Sequence, residues 1–236
     1  MIVKRVKFRL GYNLSMSIRF IQANCREGKK VDLRQAAVVK RYKPDIIFFE
    51  LPSFNGNPSS PFNAYGIKKK LFARVEKIKK GLRHEAGKTP YALSDAFVWD
   101  NIATLWREGH NVLLFNVDAP QKLRQEGFAQ YGSLSLPRIE QAWQFWAQQY
   151  VRETIMASHI ERILKRYSKR KKLVVAVFLQ NFHWHHVQFR LKHPTPGKVW
   201  RYYFWRSPKL TPSFVTKALR KERPVLYRYW KKYSVW

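Results

Sequence analysis

Residues 173–179 read LVVAVFL, seven apolar residues in a row, entered from the basic run SKRKK and left through Gln180, Asn181, Phe182 and His183. An unbroken apolar run of strand length, rich in β-branched residues, is the pattern of a strand covered on both faces, as in a parallel sheet. Three earlier segments fit beside it. Ile46 to Phe49 (IIFF) is a second continuous apolar strand, ending at Glu50. Val112 to Asn116 is a third, followed by Val117, Asp118 and Pro120, which can open a helix. Ser17 to Asn24, SIRFIQAN, is the first core strand, and residues 1–10 alternate basic and apolar in the manner of an edge strand blunted by Lys and Arg.

Helical patterns fill the gaps. Asp32 is placed to cap a helix running to about Tyr42, with Leu33, Ala36, Ala37 and Val39 on its apolar face and Lys43-Pro44 as its stop. A proline-, asparagine- and serine-rich loop from Pro52 to Gly66 precedes a very basic helix at 67–82. The next helix is expected from Ser94 as N-cap to Glu108, stopped by Gly109. The longest is expected to open at Pro137 and reach about Tyr167, with Ile139, Ala142, Trp143, Trp146 and Tyr150 as its buried stripe.

Alternating strands and helices give the fold class: α/β, a central, at least partly parallel sheet flanked by helices. Past about Lys192 the character changes to a basic, aromatic-rich C-terminal extension. From Val187 onward thirteen Lys and Arg face one acid, interleaved with twelve aromatic residues. HPTPG reads as a turn, VWRYYFW as a strand, and 211–221 and 224–232 as short helices. The expected division is an α/β domain at 1–187 and the extension at 188–236.

The 236 residues hold 46 Lys and Arg against 15 Asp and Glu, a formal net charge of +31, so the surface attracts polyanions. Nucleic acid is the first such partner: phosphates would pair with the basic residues, and exposed rings of RYYFWR and RYWKKYSVW would stack on single-stranded bases. An anionic membrane surface met by the 67–82 helix ranks behind it, because that helix lacks a strong apolar face. One cysteine, Cys25, forbids an intrachain disulfide. No stretch approaches the length of a transmembrane helix and the N-terminus has no apolar signal core, so a cytoplasmic protein is expected. Oligomeric state is left open.

Parallel sheets bind ligands beyond the carboxyl ends of their strands. The residues collected there are Asn24 and Cys25, then Glu50, then Asn116 and Asp118, then Asn181, His183, His185 and His186. A thiol, carboxylates and imidazoles are the material of a metal or acid–base site. Each also has an ordinary structural reading: a buried small cysteine, a strand-end carboxylate holding backbone, a histidine at a helix start.

The order of blocks resembles the TraB/PrgY family, within the broader group that includes the Tiki metalloproteases, erythromycin esterase and ChaN. YKPDIIFFEL (Tyr42 to Leu51) is similar to its Pro-Asp-apolar-Glu-Leu strand, and LLFNVD to the later strand ending in an acidic turn. VRETIMA (Val151 to Ala157) is similar to its Glu-Arg-Asp-x-x-Met-Ala segment, and KLVVAVFLQNFH to the strand that runs into its second Gly-x-x-His. The resemblance spans residues 17–187. Gln22 and Gln180 stand where the family has glycine, and Cys25 where it has its first histidine. It implies a metal-dependent hydrolase, in one branch a peptidase, acting on a peptide or small-molecule substrate. Glu50, Arg152, His183 and Asp118 would be catalytic. Cys25, Glu50 and His183 would hold a divalent metal, with Arg152 orienting Glu50 or stabilising an oxyanion; His186, three residues past His183 and so on the same face of a helix, is the further ligand candidate from the strand-end residues. The second expectation is a scaffold that has lost catalysis and binds nucleic acid or another polyanion.

Overall fold

The computed structural model of the chain describes residues 2–9, 15–23, 33–52, 73, 76–77, 79–81, 84, 90–127, 142–193, 198–199, 201 and 211–233. Five strands form one sheet: β1 (Ile2–Arg9), β2 (Ser15–Gln22), β3 (Ile46–Pro52), β4 (Leu113–Asp118) and β5 (Lys172–Phe178). Their spatial order is β1-β2-β5-β3-β4. β1 is an antiparallel edge on β2, and the other four strands are parallel. The LVVAVF strand is thus the central one, pairing in parallel with β2 (Ile21 opposite Ala176) and β3 (Ile47 opposite Ala176).

Among the described residues the longer helices are α1 (Arg34–Tyr42), α2 (Pro90–Arg107), α3 (Ala142–Arg166), α4 (Asn181–Lys192), α5 (Pro212–Glu222) and α6 (Pro224–Tyr233). The chain divides into two compact units. The first comprises Met1–Glu50, Pro58–Asn116 and Arg162–Trp184; the second comprises Leu51–Asn57, Val117–Glu161 and His185–Trp236.

In the first unit, Ile21, Ile47, Leu114 and Ala176 line one face of the sheet and meet Ala36, Val38 and Val39 of α1 and Val98, Ile102 and Ala103 of α2. The alternate residues Ile18, Phe20, Ile46, Phe48, Val175 and Val177 point to the other face and are buried too, as unbroken apolar strands require. In the second unit, Ala147, Tyr150, Val151 and Ile155 of α3 pack with Val215 and Leu219 of α5 and Leu226 and Trp230 of α6. The described part of the C-terminal extension therefore supplies core to its unit.

Several helix ends follow from local chemistry. α1 stops where Lys43 turns left-handed (φ 42°) before Pro44; the expected cap Asp32 lies outside the described residues, and Leu33 at the N-cap position makes no side-chain bond. α2 begins at Pro90, earlier than expected, because proline's missing N–H costs nothing in a first turn; Ser94 is buried inside the helix and not at its start. Gly109 ends α2 with φ +85°, its N–H donating to Trp106 C=O at 3.1 Å and the His110 N–H to Leu105 C=O at 2.9 Å. That is a Schellman termination, which needs the left-handed conformation. Gly109→Ala meets no steric neighbour, so the backbone conformation alone is expected to lower stability by about 1 kcal/mol. A shifted urea midpoint at unchanged slope would measure it. At α5, Thr211 accepts a hydrogen bond from the Phe214 N–H at 3.2 Å, with Pro212 in the first turn.

A further expectation needs correction: Val199 and Arg201, within the segment VWRYYFW read as a strand, are helical, as is Lys198 before them. The basic helix at 67–82 falls largely outside the described residues, but part of its charge is used internally. Lys79 is buried and pairs with Asp100 at 2.7 Å and Glu76 at 3.1 Å. Ile139 and the helix start at Pro137 also lie outside the described residues, and α3 is described from Ala142. Among the described residues no helix is long and apolar enough to cross a membrane.

Candidate functional site

In the first unit the carboxyl ends of three neighbouring parallel strands converge. Gln22 ends β2, Glu50 lies near the end of β3, and β5 runs through Leu179 and Gln180 into α4. The registers place Gln22 and Phe48 both opposite Val177, so Glu50, two residues past Phe48, shares the face of Gln22. Glu50 accepts a hydrogen bond from the Gln180 N–H at 2.7 Å. Gln180 occupies the N-cap position of α4, its C=O accepting from the Trp184 N–H at 2.9 Å. The carboxylate of one strand thus sits at the N-terminus of the helix following its neighbour, where the helix dipole favours negative charge.

One turn along, His183 is buried and places Nε2 3.6 Å from Glu50 Oε1. The Phe182 ring packs edge-on against the His183 ring, at 5.5 Å between centroids. On the β2 side, Gln22 Nε2 donates to Asn181 Oδ1 at 2.7 Å, which ties the first strand to the same helix start. The resemblance puts glycine at both glutamine positions; here the Gln22 side chain and the Gln180 backbone bind the start of α4. Cys25 lies outside the described residues. Asp95 of α2 is pushed up to about 6 by burial.

The second unit holds the other expected residues in a different arrangement. Asp118 is fully buried at the end of β4. Arg152 of α3 grips it with both arms of its guanidinium, Nε to Oδ1 at 2.8 Å and Nη2 to Oδ2 at 2.6 Å. The Ala119 N–H donates to Oδ1 at 2.6 Å, and Arg124 Nη1 lies 3.5 Å from Oδ2. Burial by itself would raise the carboxyl's pKa, but Arg152, Arg124 and the Ala119 N–H outweigh it and hold Asp118 below its ordinary value. Both oxygens are engaged and shielded from water, which is the chemistry of a structural anion. Arg152 sets its planar fork on the Asp118 carboxylate, which that fork matches edge-on.

His186, expected as a metal ligand, has its Nδ1 2.9–3.0 Å from both oxygens of Glu153, a carboxylate with no exposed surface. A carboxylate only accepts, so Nδ1 carries the proton. His159, fully buried, likewise donates from Nδ1 to the Val117 C=O at 3.0 Å. Thus His183 and His186, three apart on one helix, engage different carboxylates, Glu50 in the first unit and Glu153 in the second. His185, between them, is exposed. Sequence reasoning passed over Glu153, although a signal for it was present. It follows Trp146 and Tyr150 at helical spacing, so it is an acid inside an apolar stripe, and such an acid needs a partner.

No family model matches the chain. No curated protein and no solved structure matches it either.

Of the described rings of the extension, those of α6 pack into the core of the second unit. Trp230 is buried, with its ring 5.2 Å from that of Tyr150 and its N–H donating to Thr216 Oγ1 at 3.0 Å, while Tyr227, Tyr229 and Tyr233 pack partly buried around it. Phe214, half-exposed, lies edge-on to Trp143. Trp230 of RYWKKYSVW is thus core of the second unit, with Tyr229 and Tyr233 partly buried against it; residues 202–210 lie outside the described residues.

Proposed function

We propose that the carboxyl edge of the parallel sheet is a hydrolytic site in which Glu50 and His183 handle the proton. The observation that supports this reading is their meeting at 3.6 Å from positions far apart in the chain, at the strand ends where parallel sheets bind ligands. In amide hydrolysis the pair takes a proton from water as the water oxygen adds to the carbonyl carbon. It returns that proton to the leaving nitrogen as the C–N bond breaks. The hydrogen bond from Gln180 fixes one oxygen of Glu50 and leaves the other facing His183.

The donor set suits a divalent metal in part. Two ligands of a tetrahedral ion with bonds of about 2.0–2.1 Å lie about 3.3 Å apart, close to the separation of Glu50 and His183. Among the described residues no group of three His, Cys, Asp or Glu stands ready to hold an ion. Cys25, which the TraB/PrgY resemblance places as the further ligand, follows Gln22 at the end of β2 by three positions in the chain. A bound metal would bring the pKa of its water to about 7. The substrate class in this reading is a peptide or a small amide or ester.

The test is peptide hydrolysis by the purified protein with added zinc, manganese or no metal, alongside elemental analysis of the protein as isolated. Glu50→Gln and His183→Asn are each expected to lower the rate by about 10²–10⁴-fold with melting temperature little changed. Hydrolysis that survives both substitutions would place the chemistry elsewhere.

A further inference from the structure

The first unit has a second chemically distinctive edge, at the opposite ends of the same strands. The link from α3 to β5 presents Arg166, Lys169, Arg170, Lys171 and Lys172, all exposed. The Ser17 N–H donates to the Lys171 C=O at 3.2 Å, which anchors this link beside the start of β2. α1 ends at the same edge: Asp45, two residues past Lys43, bonds the Val174 N–H at 2.8 Å and lies 3.3 Å from Arg170. Lys40, Arg41 and Lys43 therefore join the basic run and are exposed as well. Among the described residues, two acids at this edge are already paired. Asp45 is drawn to Arg170, and Glu108 to Lys43 at 3.3 Å.

We infer that this amino-terminal edge is a docking surface for the phosphate backbone of a nucleic-acid duplex. Charge complementarity carries the choice. A duplex presents about one negative charge per 1.7 Å, and closely spaced Lys and Arg on a rigid sheet edge gain by releasing its condensed counterions. The alternative, an anionic membrane, usually adds apolar or aromatic insertion to charge. The large exposed apolar residues among those described, Leu33, Leu51, Phe97, Phe182 and Phe214, belong to none of the segments forming this edge. The tyrosines that do belong to it carry arginines on their faces: Arg19 and Arg41 over Tyr42, Arg170 over Tyr167. Binding is thus to phosphates without base stacking, and is insensitive to sequence. This surface is independent of the hydrolytic reading, since Glu50 and His183 lie at the other ends of the strands.

The test measures anisotropy of a labelled mixed-sequence 20-base-pair duplex over a salt series, with phosphatidylserine vesicles as a parallel probe. Two variants carry equal charge changes: R166E/K169E/K171E at the edge, and K217E/R220E/K221E on exposed positions of α5. The edge variant is expected to bind the duplex more than about 10-fold more weakly. Its slope of log K against log salt should be shallower by about 0.9 for each phosphate that is no longer neutralised. The α5 variant should stay within about 3-fold of the parent. Equal weakening in the two variants would mean diffuse attraction by the net charge and would overturn the assignment. So would binding to vesicles but not to duplex, or duplex affinity indifferent to salt.

Discussion

Asp118→Ala is expected to destabilise the protein by about 3–5 kcal/mol, because it leaves the largely shielded Arg152 guanidinium without the buried carboxylate that balances its charge. At this chain length that corresponds to a fall in melting temperature of about 6–20 °C. The loss comes from breaking a partnership rather than from deleting volume. Arg152 donates two hydrogen bonds to the carboxylate, and the Ala119 N–H and Arg124 turn toward the same two oxygens. Arg152→Met strands the anion instead and is expected to cost a similar amount. The double variant should be less destabilised than the two singles added together, with a coupling of about 0.5–3 kcal/mol. Acid adds a second signature. Asp118 is held below its ordinary value of 3.8, so its contribution to stability is complete above about that pH. It is lost as pH falls through the depressed folded value. The gap between parent and Asp118→Asn in urea titrations should therefore be constant near neutrality and narrow only below about pH 4. A gap already closing between pH 7 and 5 would point to a different group.

Trp230→Ala carries the next largest expected effect on stability, about 3–5 kcal/mol. The ring is 1 % exposed and packs among Tyr150, Val215, Leu219 and Leu226. Its N–H has a partner in Thr216, so Trp230→Phe, which keeps most of the volume and loses that bond, should cost far less, about 1–2 kcal/mol. Thr216→Val should reproduce part of the Trp230→Phe loss and add little to it, since both remove the same bond. Equilibrium unfolding with tryptophan-independent detection measures all three. If Trp230→Ala left stability unchanged and only weakened nucleic-acid binding, the extension would be an exposed stacking platform and not core.

The parallel strands were legible in the sequence because a strand covered on both faces must be apolar at every position, and LVVAVFL and IIFF are. Glu50 and His183 were legible as strand-end polar residues for the same reason: the apolar run stops where the sheet stops. The end of α2 was legible in Gly109, since few other residues adopt its left-handed backbone. The partners were not. Arg152 stands one residue before Glu153, and nothing local says that the first serves Asp118 and the second His186. Charge attraction has no sequence address, and which carboxylate a partly buried arginine meets depends on which helix crosses which strand end. The same holds for the aromatic extension. Its composition is that of a stacking surface or of a core, and rings of equal hydrophobicity serve either. The sequence by itself determined the order of the strands along the chain, their parallel character and the strand-end position of Glu50 and His183. Only the tertiary structure decided the partners: Glu50 with His183, Asp118 with Arg152, Glu153 with His186, and Trp230 with the stripe of α3. Pairing between distant segments is a property of packing, and packing is set by all the buried surfaces at once.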